Sequence, residues 1–213
     1  MEIDKIKKFF DFTTELEKLK KLERFKGQYY WKDYPKISRF ESVADHSWRA
    51  GMLVMLFSDQ LAKKINLAKA LKMILIHDLC EIYAGDASPL GKDGTGKKTY
   101  AFDKVAASKR HVIEKKAAAK IFNKLPAKMA KEYFALWVEY DLQKSYEAKV
   151  VKSLDRIEAL MQVLEYRRGH LFPAHLEFNL SYALKGSDID PAIGQFGNYV
   201  ANQMKRKYKE FKK

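Results

Sequence analysis

Cysteine is nearly absent: Cys80 is the only one in 213 residues. It cannot form an internal disulfide, which excludes a small crosslinked secreted scaffold and points to a reducing compartment, the cytoplasm. Proline (5) and glycine (10) are scarce as well, which excludes collagen-like and low-complexity chains. No apolar run approaches the ~18–20 residues that cross a bilayer; the longest lies around Gly51–Phe57. Met1-Glu2-Ile3-Asp4 lacks the basic-then-apolar layout of a signal peptide, so no membrane association is expected. Acidic residues are the minority charge, 27 Asp+Glu against 41 Lys+Arg, leaving a formal net charge of +14. Such a surface attracts mononucleotides, polynucleotides and acidic proteins alike, so it names no ligand.

Apolar residues (47%) are numerous enough for a core, and the length suits one domain or one domain with a helical appendage. The pattern is helical throughout. Between Lys5 and Arg24, the residues Ile6, Phe9, Phe10, Leu16, Leu19 and Leu22 fall near one stripe. Residues 26–40 are aromatic and irregular and read as an ordered loop. Ser42 and Asp45 form a capping signal for a helix reaching Ile65, and Asn66 caps another over Leu67–Ala84, stopped by Gly85. Further helices are predicted over Phe102–Asn123, Ala127–Leu142 and Tyr146–Arg168, with Gly169 as the stop. A helical extension covers 174–213, its last substantial helix opening on Asp190 and Pro191. No convincing β alternation appears. The fold class is all-α, a single unit over 1–213 with its core at about 19–168.

Two basic features invite a nucleotide or nucleic-acid reading and fail it. Gly91–Lys98 fits G-x-x-x-x-G-K, but Lys98 stands where a hydroxyl should hold Mg²⁺, and no strand precedes the loop. A solvated basic loop is the better reading. The lysine-rich end from Lys205 to Lys213 reads as the fraying face of a helix.

The informative feature is His77-Asp78, which closes an apolar helical run. An imidazole and a carboxylate buried there need partners. Glu81, four residues after His77, shares that helix face. His46 lies in the first turns of one helix and Asp155 in another apolar-faced helix. Two imidazoles and two carboxylates from three helices make a mixed nitrogen–oxygen site for a divalent transition metal: Mn, Co, Ni, Fe or Zn. A closed structural zinc site would use thiolates, and Cys80 is alone. His111, His170 and His175 have no comparable context and read as structural.

His46, the His77-Asp78 doublet and Asp155 together resemble the H…HD…D signature of the HD-domain metal-dependent phosphohydrolases. The blocks 41–47, 77–86 and 147–155 resemble its 5′-deoxynucleotidase branch most. The resemblance implies an α-helical bundle with one divalent metal between helices, held by His46, His77, Asp78 and Asp155. It implies hydrolysis of 2′-deoxynucleoside 5′-monophosphates, and a homodimer. Glu81 and Asp86 then match the acids of the family's H-D-x-x-E-x-x-x-x-D stretch and are the candidate catalytic pair, and Arg24 matches its phosphate-binding arginine. Phe25 stands where bacterial members carry a tryptophan against the sugar. Arg39 and Lys152 are further candidates. Two alternatives stand beside this reading: an HD hydrolase of nucleoside triphosphates, alarmones or cyclic dinucleotides, and a non-catalytic basic helical nucleic-acid-binding protein. No helix-turn-helix or RNA-binding signature supports the second, so a small nucleotide is the expected partner.

Overall fold

The computed structural model describes residues 2–24, 39–168 and 170–212. Among them the chain is helical, and no strand forms beyond an isolated antiparallel bridge between Glu23 and Ser42. The first predicted helix divides at Leu16 into α1 (Ile3–Glu15) and α2 (Glu17–Lys21). Its buried face is set by Phe12 and Leu19, while Ile6 and Phe10 stay exposed.

Helix α3 (Val43–Phe57) opens on the expected capping box. Ser42 Oγ accepts from the Asp45 amide at 3.1 Å and Asp45 Oδ2 accepts from the Ser42 amide at 2.9 Å. Such a cap stabilises a helix by about 1 kcal/mol. The helix does not reach Ile65. Ser58 Oγ donates to the Met55 carbonyl (2.8 Å), and the chain turns until the Ala62 amide donates to Asp190 Oδ2 (2.8 Å).

Asn66 caps α4 (Leu67–Ile76) through the Lys69 amide at 3.0 Å. The predicted continuation to Ala84 is interrupted at His77–Cys80, where the ladder tightens to i→i+3 bonds, before α5 (Glu81–Ala84). Asp103 caps α6 (Lys104–Phe122), α7 spans Ala127–Asp141, and Ser145 caps α8 (Tyr146–Arg167). Arg168, left-handed at φ 48°, closes α8; Gly169, the expected stop, lies outside the described residues. The extension holds α9 (Pro173–Ala183), a 3-10 turn at Ser187–Ile189, and α10 (Pro191–Lys212), whose Ala192 amide donates to Asp190 Oδ1 at 2.9 Å.

Helix α8 is the central element. Its Val151, Leu154, Ile157 and Leu160 join Ala50 and Val54 of α3, Met73 and Ile74 of α4, and Ile193 and Met204 of α10 in one apolar cluster. Gly197 lets α10 approach this face: a Cβ there would stand 2.9 Å from Leu184 Cδ2. A second cluster gathers Phe12, Leu19, Ile121, Phe122 and Trp137, together with Ile76, Leu79 and Cys80. Polar side chains at 46, 77, 78 and 155 meet where the two clusters adjoin.

Candidate metal centre and catalytic cavity

The turn at 77–80 places the first polar groups. His77 Nδ1 donates to the Ile74 carbonyl at 2.6 Å, satisfying an acceptor that the end of α4 leaves open. Trp137 Nε1 donates to the His77 carbonyl at 3.0 Å, fixing the turn from the other side. With its Nδ1 proton committed, His77 presents an acceptor lone pair at Nε2. His46, buried on α3, points its Nδ1 at Glu158 Oε2 and its Nε2 toward the same point.

The two Nε2 atoms stand 3.3 Å apart. Asp155 Oδ1 lies 3.1 Å from His46 Nε2, and Asp78 Oδ2 lies 2.9 Å from His77 Nε2. Ligand atoms of His46, His77 and Asp155 all fall within 4.8 Å of one another, with Asp78 adjoining them. Two ring lone pairs and two carboxylates thus converge with no fixed donor between them, an arrangement that requires positive charge at its centre. A divalent cation supplies it, and the donor set suits one. A proton is the alternative occupant. Burial and the Arg24 charge oppose protonation of His46, yet the Glu158 and Asp155 carboxylates prevail and raise its pKa to about 10. Burial works to raise the Asp155 pKa, but Lys152 and the two imidazoles hold it well below the ordinary carboxylate range.

Outer contacts orient each group. Tyr140 OH donates to Asp155 Oδ2 at 2.7 Å, and Lys152 Nζ lies 3.0 Å from the same oxygen. Glu158, fully buried, backs His46 and also accepts from Arg49 at 2.6 Å. Glu41, His46 and Glu158 make a second close group of possible ligands. Arg24 and Arg49 already neutralise those carboxylates, so that group is an ion-pair network behind His46. Sequence reasoning missed Glu158, although it lies three residues after Asp155 on an apolar helix.

A cavity of about 300 Å³ opens beside the cluster, lined by His77, Asp78, Glu81, Asp86 and Asp155 among others. Glu81 is buried; Arg110 donates to its Oε1 at 3.3 Å, while its Oε2 has no hydrogen-bond partner among the described residues. Burial, then Asp78 and Asp86, push its pKa well up against the pull of Arg110. Arg24 reaches the cavity edge with Nη1 on Glu41 Oε2 at 2.9 Å. Lys152 lines the cavity too, whereas Arg39 pairs with Asp45 at the exposed end of α3. Phe25 lies outside the described residues, as do Gly27 to Pro35 of the aromatic segment. In the 91–98 loop, Gly96 rests on Phe178, where a Cβ would come within 2.3 Å of the ring. The loop is therefore packed beside the cavity rather than wholly solvated.

Comparison with known proteins agrees with this geometry. Residues 16–196 match the model of the HD domain family. A 5′-deoxynucleotidase HDDC2 of Xenopus laevis is 33% identical over 68% of this chain and 64% of its own length. The Dictyostelium discoideum protein of that name is 32% identical over 75% of this chain and 78% of its own. The match thus spans just under two thirds of the vertebrate relatives' length. A crystal structure described as a predicted metal-dependent phosphohydrolase from Magnetospirillum magnetotacticum MS-1 superposes with a TM-score of 0.69 at 26% identity, covering 96% of this chain and 94% of that one. With its helical scaffold and the His/Asp cluster between α3, α4 and α8, the chain belongs to the HD domain family.

Proposed function

We propose that this chain hydrolyses (2′-deoxy)nucleoside 5′-monophosphates to nucleoside and phosphate, with His46, His77, Asp78 and Asp155 holding one divalent transition metal. The carrying observation is the convergence of four acceptor groups beside a cavity that also holds a buried carboxylate oxygen with no partner among the described residues. The printed names of the relatives supply the substrate class. When bound, the cation polarises a phosphoryl oxygen and lowers the pKa of water. Its identity among Mn, Co, Ni, Fe and Zn is left open by this ligand set.

The chain's own residues do the remaining work. Glu81 takes the proton of the attacking water at Oε2, and Arg110 fixes the carboxylate through Oε1. A raised proton affinity makes it a better base than an exposed glutamate. Asp86, just past the positive-φ Gly85, assists that transfer or relays the proton taken by Glu81 to the departing 5′ oxygen, so that the proton lost by water leaves with the nucleoside. Arg24, clamped by Glu41 and Glu158, sets a fixed positive charge against the phosphate. Phe25, next in sequence, is the candidate wall for the sugar.

Residues 1–213 form one HD unit in this reading, with the 174–213 extension closing the cavity through α9. It works in the cytoplasm, consistent with a buried Cys80 whose thiol burial pushes well up. Trp48, Met52, Met55 and Leu56 leave an exposed apolar stripe on α3, which a second copy would cover in a homodimer.

Metal analysis combined with phosphate release across mono-, di- and triphosphates tests the assignment. One divalent ion per chain and fastest release from deoxynucleoside 5′-monophosphates are expected. Glu81→Gln should keep the metal and lower kcat by roughly 10²–10⁴-fold. Wild-type turnover in that variant, or a preference for triphosphates, would overturn the mechanism or the substrate class respectively.

A further inference from the structure

The cavity has two walls of opposite chemistry. Asp78, Glu81, Asp86 and Glu114 stand on the wall built by the 77–86 segment and α6, where Arg110 is already paired with Glu81 and Glu114. The facing wall, from α8, α9 and the turn after α9, contributes Lys152, Arg156, Lys185 and the aromatic pair Phe178–Tyr182; its one acid is Asp155, at the His/Asp cluster. Lys152 is occupied by Asp155 and Tyr140. Arg156 and Lys185 are not matched in that way.

Arg156 is 8% exposed. Its Nη1 donates to the Lys185 carbonyl at 2.7 Å and its guanidinium lies 5.6 Å from the Tyr182 ring centre. Its Nε, buried, has no acceptor among the described residues, and no carboxylate there pairs with it. Lys185 lies at the mouth of the cavity, with Nζ donating to the Ala101 carbonyl at 3.0 Å. Burial and the Arg156 charge both depress its pKa, so the two cations repel. The turn that carries Lys185 is held against α8 by Ser153, whose Oγ donates to the Gly186 carbonyl at 2.8 Å.

A guanidinium removed from water without a counter-charge is costly, and two adjacent cations bonded only to neutral carbonyls ask for an anion. A metal ion would be repelled, and a base carbonyl brings no charge. A phosphoryl dianion matches both groups: the fork of Arg156 and the point charge of Lys185. We propose that Arg156 and Lys185 form a second anion subsite for a phosphoryl group. A nucleotide with a phosphate besides the scissile one then spans the cavity, one phosphate at the His/Asp cluster and the other on this wall. The substrate half rests on the phosphomonoesterase reading; the anion subsite does not.

The test has a binding arm and a kinetic arm, both on the full chain. Chelator-treated protein is titrated calorimetrically with sodium sulfate, ionic strength being balanced with chloride. One saturable site is expected, weakened by about tenfold or more in Arg156→Gln and less in Arg156→Lys. Lys185→Gln, at an exposed turn, provides the same reading should Arg156→Gln fail to fold. No sulfate site in the wild type, or equal affinity in folded Arg156→Gln and Lys185→Gln, overturns the subsite.

In the kinetic arm, kcat/KM is compared for a deoxynucleoside 5′-monophosphate and the 3′,5′-bisphosphate of the same nucleoside. The ratio favouring the bisphosphate should fall by about tenfold in Arg156→Gln. An unchanged ratio with sulfate binding lost assigns the subsite to free inorganic phosphate and overturns the second-phosphate half. Sulfate binding that depends on Arg156 while neither nucleotide is hydrolysed supports the subsite and overturns only the phosphomonoesterase reading.

Discussion

His46 and His175 are both sealed from solvent, yet they sit at opposite ends of the imidazole range. At His175, on α9, burial and then the Arg167 charge push the pKa down to about 3, and the ring is neutral. At His46, burial and Arg24 act in the same downward direction, but Glu158 and Asp155 outweigh them and lift it to about 10. Burial alone therefore does not mark a functional histidine. What marks it is a carboxylate surplus that demands a positive charge, either a proton or a cation. His175 is packed; His46 is recruited.

Removing a carboxylate at the cluster breaks the contrast most severely. Asp78→Ala should abolish both metal content and turnover, read by elemental analysis and phosphate release. Retention of wild-type metal and rate would sink the ligand assignment. Glu158→Gln is milder, because it keeps the shape behind His46 and removes only the charge. Metal affinity should fall by roughly 10–100-fold in competition with a chromophoric chelator. An unchanged affinity would make Glu158 a structural partner of Arg24 and Arg49 alone.

The smallest effect concerns His175. Its folded pKa, about 3, lies below the ordinary 6.5, so the unfolded chain takes up a proton that the native ring refuses. The stability concerned is fully present above pH 6.5 and is lost as pH falls through the window towards 3, at about 1 kcal/mol per unit. His175→Gln should remove that slope from melting curves recorded between pH 7 and 5. A slope equal to the wild type's would place the acid sensitivity elsewhere.

Much of the fold was legible because the local signals were strong. The Ser42–Asp45 box and the Asn66 and Asp190 caps each act over two or three residues, and the structure places them as read. The helix breaks at Leu16 and after Phe57 were not legible, since they follow from packing and from a distant acceptor, Asp190. The convergence of His46, His77, Asp78 and Asp155 was legible because polar residues on apolar helices are conspicuous, and the same logic applied to Asp155 reaches Glu158. Arg110 was hidden: in a helix crowded with charge it reads as solvated, and only the docking of α6 against the 77–86 segment brings it to Glu81. Arg156 was hidden for the same reason on α8.

The His46–His77 contact bridges 31 residues and the His46–Glu158 contact 112. Loops of that length close late in folding, since their entropy is lost before any contact repays it. The proposed ligand set accordingly exists only once α3, α4 and α8 have docked. A cation that recognises the docked arrangement and ignores the unfolded chain becomes a thermodynamic latch, adding about 2.7 kcal/mol when present at a hundredfold excess over its dissociation constant. The ion that equips the site for chemistry would also keep score of whether the chain has finished folding.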